Sequence, residues 1–425
     1  MGLIKRYSSE DWLTVALFFC AFAGFALSQQ ICVVLYIASR PVSVGFRLLM
    51  LCFCAFFFYR QIARPRSIYN GPLLWVFIAW SFVYIVRVVM YSQENVFTLH
   101  GQYTYIQMLL GMCLLPSLAL MYVWDERRLK IGLYTISIGS TIGGWGYCYL
   151  YRDAIFGGGG FGRVKGGEFI GENVALNALQ LGYAGSALLI LVLGILFSEL
   201  RGYRKWLLIF SMSAPGLFLV GFSGSRGPII ALLGCFILYV SANFRMRHLG
   251  RLTGITIVFF VLLTSGVIYA VATESVLFER WTDTYYALFE GEAGADISRL
   301  ALYALAWEGF IDAPLFGNFI ELRSLAMYPH NFFMDALHST GLAGFPLFFI
   351  LIMGVSVIAL RLMRNFPRYS WISLLYFHFL FFGQFSGALY SSSFFWCSLG
   401  LVLGAWQSAR YNLIGLGREV HTRHR

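Results

Sequence analysis

Charged residues are scarce in this sequence. Only 12% of its 425 residues are Asp, Glu, Lys or Arg, whereas 59% are hydrophobic and the mean hydropathy is +0.71. Such a chain cannot enclose its apolar surface in one water-soluble core, which excludes an ordinary soluble globular protein. The composition therefore predicts an all-α polytopic membrane protein.

Metal-ligand and disulfide motifs are also missing. None of the eight cysteines forms a CxxC pattern, and all lie in or beside apolar runs, so we interpret them as small core residues. The predicted external segments hold no carboxylate pair suited to a divalent ion. Their acidic residues Asp283, Glu290, Glu292 and Asp296 are better explained by a solvated loop. We predict no metal and no cofactor.

Targeting and repeat signals are absent as well. The first apolar run lacks a small-residue cleavage site, so we expect a retained span rather than a signal peptide. No internal repeat is visible, which argues against transporters built from inverted repeats. The net charge of +11 lies in short clusters between apolar runs, so it indicates membrane topology and not nucleic-acid binding.

Apolar runs bounded by charge predict about 12 transmembrane helices. The run 29–38 is too short to span, and we assign it to the first external turn. Most of the 31 Lys and Arg residues fall in connections that are cytoplasmic if both termini are cytoplasmic, as the positive-inside rule requires. The predicted spans are 11–28, 45–59, 71–90, 103–123, 131–150, 177–198, 206–222, 228–242, 252–272, 341–360, 370–385 and 391–407.

The chain divides into transmembrane helices over 1–150, a second transmembrane region over 151–410 and a cytoplasmic tail over 411–425. Two external connections are long. The segment 151–176 is rich in glycine. The loop 273–340, before the tenth span, contains two helical patterns near 276–289 and 298–311 and then an Ala-Pro-Leu-Phe-Gly turn. Loops of this length in compact proteins are usually functional.

Three external residues predict a site for an anionic substrate. Arg226 opens a helix whose first turn holds Pro228, so free N–H groups and a guanidinium would face a phosphate together. Arg299 begins the helical pattern 298–311, and His330 supplies a group with a near-neutral pKa. Taken singly, each has an ordinary explanation: an interfacial anchor, a solvated arginine and a structural histidine.

The neighbours of His330 have alternative interpretations. His338 suits helix packing better than catalysis. Asn331 is expected either to orient an acceptor or to cap the next helix. Asp335 is expected either to orient an imidazole or to face water. Arg87, late in its span, is a candidate for reaching a diphosphate.

Four stretches resemble the O-antigen ligase and O-antigen polymerase superfamily of bacterial envelope glycosyltransferases. They are GRVKGGEFIGENVALNAL, SGSRGPIIALL, SRLALYALAWEGFIDAPLFGNF and PHNFFMDALHSTGLAG, in this order. They carry the Ser-Arg-Gly helix start, the Arg-x-x-x-(Tyr/Trp)…Pro-x-x-G segment and the His-Asn…Gly-x-x-Gly segment typical of that family. The resemblance covers roughly residues 150–405.

The resemblance implies metal-independent transfer of a glycan, with inversion, from a polyprenyl (undecaprenyl) diphosphate at the periplasmic face of the bacterial inner membrane. Arg226 and Arg299 would bind the diphosphate, and His330 would deprotonate or orient the acceptor hydroxyl. The partners implied are the lipid-linked donor, a glycan or lipid A core acceptor, membrane lipids and a chain-length regulator. Further candidates for substrate binding are Arg87, Arg163, Lys165, Asn173, Tyr328 and Asn331.

Polymerase and ligase share this pattern, and the compact segment from Arg299 to His330 favours a polymerase slightly. A ligase would move the glycan to the lipid A core instead. A flippase for lipid-linked oligosaccharides would need polar residues around a midplane cavity, whereas most ionisable residues here gather toward the outer face. A cell-wall glycan polymerase of the shape-and-division type is a third alternative, but its residue pattern is not found here.

Overall fold

The computed structural model describes residues 8–61, 68–93, 102–152, 178–197, 202–223, 225–243, 297–323, 325 and 327–423. These residues form twelve helices and no strand, apart from two isolated bridges, Ile68–Tyr122 and Leu322–Met327. The predicted all-α class is confirmed for them. The helices are α1 Ser9–Val34, α2 Ser39–Gln61, α3 Pro72–Gln93, α4 (Gln102–Met108, Leu109–Leu114 and Leu115–Leu120), α5 Glu126–Leu150, α6 Ala178–Phe197, α7 Tyr203–Ser223, α8 Arg226–Asn243, α9 Ile297–Asp312, α10 Phe332–Asn365, α11 Ser370–Phe385 and α12 Ser393–Arg423.

Within these described ranges, seven helices are long and apolar enough to cross a membrane. Large apolar side chains such as Trp75, Phe82 and Phe210 stay exposed on their outer faces, as lipid contact requires. The chain is therefore a multi-pass membrane protein. The seven are Ser9–Val34, Ser39–Gln61, Pro72–Tyr91, Tyr103–Leu120, Leu179–Leu196, Tyr203–Ser223 and Phe332–Asn365.

The other predicted spans fall into two groups. Helices occupy 131–150, 228–242, 370–385 and 391–407, but they do not meet the length and hydropathy expected of a span. The predicted span 252–272, the helical pattern 276–289 and the four acidic residues from Asp283 to Asp296 lie outside the described residues. The other helical pattern, 298–311, is confirmed as α9.

The assignment of 29–38 to a turn was wrong for most of the run, because α1 continues to Val34. The apolar run predicted a span that ends at residue 28, but the helix continues, and Ser28 and Gln30 find partners inside the protein. The Gln30 amide donates to the Gly143 carbonyl of α5 over 2.8 Å, and Ser28 bonds back to the Phe25 carbonyl. A π-helical turn, Cys20–Gly24, lies within α1.

Aromatic packing joins α3, α10 and α12 into one core. The Trp80 ring stacks on Trp396 with 4.7 Å between centroids and on Tyr84 with 4.9 Å, and Phe348 lies 5.5 Å from Trp80. All four side chains are fully buried. Offset aromatic contacts of this kind add to the burial of apolar area, so they fix the three helices that support the region around His330.

Helix α10 is interrupted at Gly341, where φ is 55° and ψ is −154°, a region open almost only to glycine. The break frees the N–H groups of the next two residues, which donate to the Pro314 and Leu315 carbonyls at 2.9 Å. The Ala-Pro-Leu-Phe-Gly turn after α9 therefore docks into the break. We call residues 313–331, which connect α9 to α10, the His330 loop.

Replacing Gly341 by Ala is expected to destabilise the protein by at least about 1–3 kcal/mol, the usual cost of forcing a side chain into such a backbone conformation. An added Cβ would also lie 2.5 Å from the Gly317 nitrogen and 2.6 Å from the Pro314 oxygen. The measurement is the midpoint of thermal unfolding in detergent. Gly45→Ala is the control, because a Cβ there meets nothing within 4 Å. Equal midpoints for the two variants would contradict the strain at the break.

Candidate active site

The backbone positions His330 at the entrance of α10. Its φ of 60° is in the left-handed region, which is costly for a residue with a Cβ. The next residue, Asn331, caps α10: its side-chain oxygen accepts from the Phe333 and Met334 N–H groups at 3.0 and 3.1 Å. Of the two roles expected for Asn331, capping is the one observed. The cap and the strained backbone together fix the direction of the imidazole.

Tyr328 is the aromatic neighbour of His330. The two half-buried rings lie 4.3 Å apart between centroids, at an interplanar angle of 59°. The Tyr328 hydroxyl bonds to Ser386, in the connection after α11, and burial raises the pKa of this tyrosine. Tyr328, predicted as a substrate-binding candidate, thus forms one wall beside the imidazole.

Arg299 lies close enough to His330 to change its protonation. Burial of the imidazole, and then the positive charge of Arg299 in α9, lower the pKa of His330 to about 4. Both causes disfavour the charged form. At neutral pH the imidazole is therefore neutral and has a free lone pair with which to accept a proton.

Tyr183 connects this pair to the start of α8. Arg299 acts electrostatically on Tyr183 as well as on His330. The Tyr183 hydroxyl packs against Gly227, where an added Cβ would lie only 2.5 Å from it. Gly227 directly follows Arg226, the first residue of α8. The structure thus places Arg299 within electrostatic range of His330, and it places the α8 residue next to Arg226 against the Tyr183 hydroxyl.

The start of α8 is firmly held. Ser225 is buried, its N–H donates to the Ser223 hydroxyl at 3.2 Å, and its own hydroxyl donates to the Ser223 carbonyl. Pro228 lies in the first turn of the helix, as predicted, where its missing N–H costs nothing. Arg226 itself is half-buried. The remaining N–H groups of this turn and the guanidinium share one end of the helix, which favours an anion there.

Arg87 has a structural role that the sequence did not reveal. Its Nε donates to the Ser339 carbonyl at 3.0 Å, and its Nη2 donates to the carbonyls of Gly317 and Asn318. These carbonyls belong to the end of the first half of α10 and to the turn docked against it. The bonds occupy donors that the predicted diphosphate contact would need.

Asp335 and His338 are both fully enclosed. The expectation that Asp335 faces water was wrong, because its carboxylate is 0% exposed and accepts the Leu389 N–H at 2.8 Å. It does not orient an imidazole through any hydrogen bond within the described residues. His338 contacts the Ala306 carbonyl of α9 through Nδ1 at 3.1 Å, so its predicted packing role is confirmed.

Glu321 is a residue that sequence reasoning missed. It is 0% exposed within the His330 loop and accepts hydrogen bonds from the hydroxyls of Tyr390 at 3.0 Å and Tyr91 at 3.3 Å. Tyr390 in turn packs edge-on to Tyr328, with 6.5 Å between centroids. Glu321 therefore joins the loop to α3 and to the α11–α12 connection. A lone Glu between apolar residues gave no signal for this role.

Three predicted substrate-binding residues, Arg163, Lys165 and Asn173, lie outside the described residues. Inside the described ranges, no group of three or more His, Cys, Asp or Glu side chains is arranged to hold a metal ion. The candidate site is thus built from His330, Arg299, Tyr328 and Tyr183, with the start of α8 beside them.

Removal of the Arg299 charge is expected to raise the pKa of His330 from about 4, while burial continues to hold it below its ordinary value. Diethyl pyrocarbonate reacts with neutral imidazole, so its pH-dependent modification of His330, followed by mass spectrometry, reports this pKa. The modification midpoint should move to higher pH in Arg299→Gln. Arg323→Gln, at an exposed position of the same loop, is the control and should leave it unchanged. A common midpoint in all three proteins would disprove the coupling.

No family model matches the sequence, and no curated protein matches it at the significance required. The functional proposal for this chain therefore rests on the geometry of its site and on the resemblance of its four motifs.

Proposed function

We propose that the protein is a membrane glycosyltransferase that moves a glycan from a polyprenyl diphosphate to the hydroxyl of an acceptor sugar. The observation that carries the proposal is the electrostatic interaction of Arg299 with a neutral imidazole and with Tyr183, against whose hydroxyl the residue after Arg226 packs. Two cations suit a diphosphate leaving group, and a neutral imidazole suits a hydroxyl that must lose its proton. The described part of the chain also contains seven helices apolar enough to cross a membrane, which suits a donor that is anchored in the lipid.

In the proposed reaction, the acceptor oxygen attacks the anomeric carbon of the donor sugar from the face opposite the diphosphate. The new carbon–oxygen bond forms while the bond to the diphosphate oxygen breaks, which inverts the anomeric centre. The hydroxyl proton passes to His330, and the polyprenyl diphosphate leaves against Arg226 and Arg299. The guanidinium groups supply the charge neutralisation, so we propose a metal-independent reaction.

Donor binding would also activate the base. Burial, and then the Arg299 charge, lower the pKa of His330 in the free protein, so the imidazole is then a weak base. A diphosphate bound to Arg299 brings opposite charge to the same place and favours the imidazolium form. The basicity of His330 would therefore rise only when the leaving group is in position, which couples proton removal to the presence of the donor.

We further propose that the chain has about twelve spans, with both termini cytoplasmic and the site at the periplasmic face of the inner membrane. The distribution of Lys and Arg supports this topology. The product would be surface polysaccharide, through an O-antigen polymerase activity. The compact His330 loop, held by the Leu322–Met327 bridge, supports a polymerase over a ligase. Transfer by the purified protein to a lipid-linked repeat unit, and not to lipid A core, is the expected result.

Each of the substitutions Arg226→Ala, Arg299→Ala and His330→Ala should lower glycan transfer by roughly 100-fold or more, because each removes a charge or a proton acceptor from the transition state. Arg226→Lys should also be impaired, because an ammonium cannot make a bidentate contact. The assay uses purified protein in detergent with a lipid-linked glycan. Arg323→Ala is the matched control in an exposed part of the same loop and should retain full activity.

Normal transfer by all three variants would reject the proposal. Translocation of the lipid-linked glycan across proteoliposomes, with no transfer in detergent, would favour the transporter alternative instead. Accumulation of each variant in the membrane at wild-type level is required, so that loss of transfer is not loss of protein.

Tyr183→Phe should weaken binding of undecaprenyl diphosphate about three- to tenfold, corresponding to one hydrogen bond of about 1 kcal/mol. The Tyr183 hydroxyl is buried and makes no hydrogen bond with the described residues, so its proton is available to a phosphate oxygen. Tyr376→Phe is the control, since that hydroxyl contacts Ser356 and Ile352, away from the arginines. Equal affinities for the two variants would remove Tyr183 from the donor site.

A further inference from the structure

Arg47 is a buried cation inside a membrane-spanning helix. It lies eight residues after Ser39, the first residue of α2, which corresponds to about 12 Å along the helix axis. The residue is only 7% exposed. Its Nη2 donates to the Ser43 hydroxyl over 2.9 Å, and within the described chain this is its one hydrogen bond. No carboxylate of the described residues pairs with it.

Such a residue needs an explanation. An arginine within a membrane span costs about 2.5–3.5 kcal/mol on insertion scales, and arginines in spans usually mark a functional path or pair with an opposite charge. Arg47 has five N–H donors and one neutral partner, so most of its hydrogen-bonding capacity is unused. A leucine or methionine would pack at this position without that cost. An anion from outside the chain would both neutralise the charge and fill the donors.

The direction of the side chain indicates where that anion would lie. Ser43 is one helical turn closer to the start of α2 than Arg47, so the guanidinium is turned toward that end of the helix. Beside it is the π-helical turn Leu109–Leu114 of α4, where Gly111 approaches the Arg47 backbone closely. π-helical turns within α-helices often occur at functional sites.

A series of contacts relates Arg47 to the candidate active site. Arg47 packs against Gly111 in the π-helical turn of α4, and the Cys113 thiol of the same turn donates to the Tyr390 carbonyl over 3.5 Å. The Tyr390 ring packs on Tyr328, which contacts His330. The guanidinium is thus turned toward the end of the bundle that carries His330. It lies on α2, which is not one of the elements that carry Arg226 and Arg299.

We propose that Arg47 binds the phosphate of a lipid that inserts beside α2 and α4 at the His330 end of the bundle. The identity of this lipid rests on the proposed polymerase function. Under that function, the ligand is the diphosphate of the acceptor, which is the second lipid-linked glycan. A polymerase holds two such lipids at once, and Arg226 and Arg299 serve only one of them. A phospholipid headgroup offers the same chemistry, and the experiment separates the two sources.

Native mass spectrometry of the full-length protein, purified and depleted of lipid in detergent, counts the bound lipids. Undecaprenyl diphosphate and phosphatidylglycerol are the two probes. Wild type should bind two molecules of the diphosphate, and Arg47→Gln should bind one of them at least about tenfold more weakly, because a charge-assisted contact is lost. Arg47→Lys keeps the charge and should bind with intermediate affinity. The matched control is Arg40→Gln, an exposed arginine at the start of the same helix.

The outcomes are distinct. If Arg47→Gln loses one diphosphate and Arg226→Gln/Arg299→Gln loses the other, the acceptor assignment is supported. If only phosphatidylglycerol binding depends on Arg47, the site is supported and its ligand is a phospholipid. If Arg226→Gln/Arg299→Gln still binds two diphosphates while Arg47→Gln binds one, the Arg47 site stands and the proposed donor site fails. If Arg47→Gln, as a folded monodisperse protein, binds both probes like Arg40→Gln, the inference is overturned.

Discussion

The hydrogen bonds between Arg87 and the carbonyls around the break at Gly341 are the interaction on which the candidate site depends. Breaking a helix inside a membrane protein frees N–H and C=O groups that water cannot satisfy. Here the docked turn accepts the freed N–H groups, and Arg87 donates to the freed Ser339 carbonyl and to two carbonyls of the turn. Because the docked turn and Arg87 satisfy these groups, the first half of α10 can leave the direction of the span. Asn331 caps the start of that half, so the break decides where His330 is placed.

Electrostatics gives the site its chemical character. A buried imidazole beside an arginine is neutral at physiological pH, and the same arginine is suited to an anionic leaving group. The two effects are coupled, because binding of an anion to the arginine changes the pKa of the imidazole. An exposed histidine would have an ordinary pKa, and that pKa would not depend on a bound donor in this way. The burial of His330 is therefore as important to the proposed chemistry as the identity of its neighbours.

The sequence predicted those features that depend on local pattern. Apolar runs located the helices, capping was one of the two roles expected of the Asn after His330, and the helical pattern 298–311 was observed as α9. It did not predict features that depend on distant partners. The run 29–38 was assigned to a turn because the acceptor of Gln30 is 113 residues away in the sequence. Arg87 was a candidate for substrate binding because the carbonyls it contacts belong to another helix and a turn. Tyr183 and Glu321 gave no signal, since a Tyr or Glu in apolar sequence reveals neither burial nor neighbours.

The anchoring of Glu321 has a consequence for how substrates would reach His330. The carboxylate is held by hydroxyls from α3 and from the α11–α12 connection, so its loop is fastened to both sides of the bundle through a group that water does not reach. Lifting the loop would expose this group and separate it from both partners, at a substantial free-energy cost. Beside the imidazole, the loop would therefore act as a fixed wall and not as a gate.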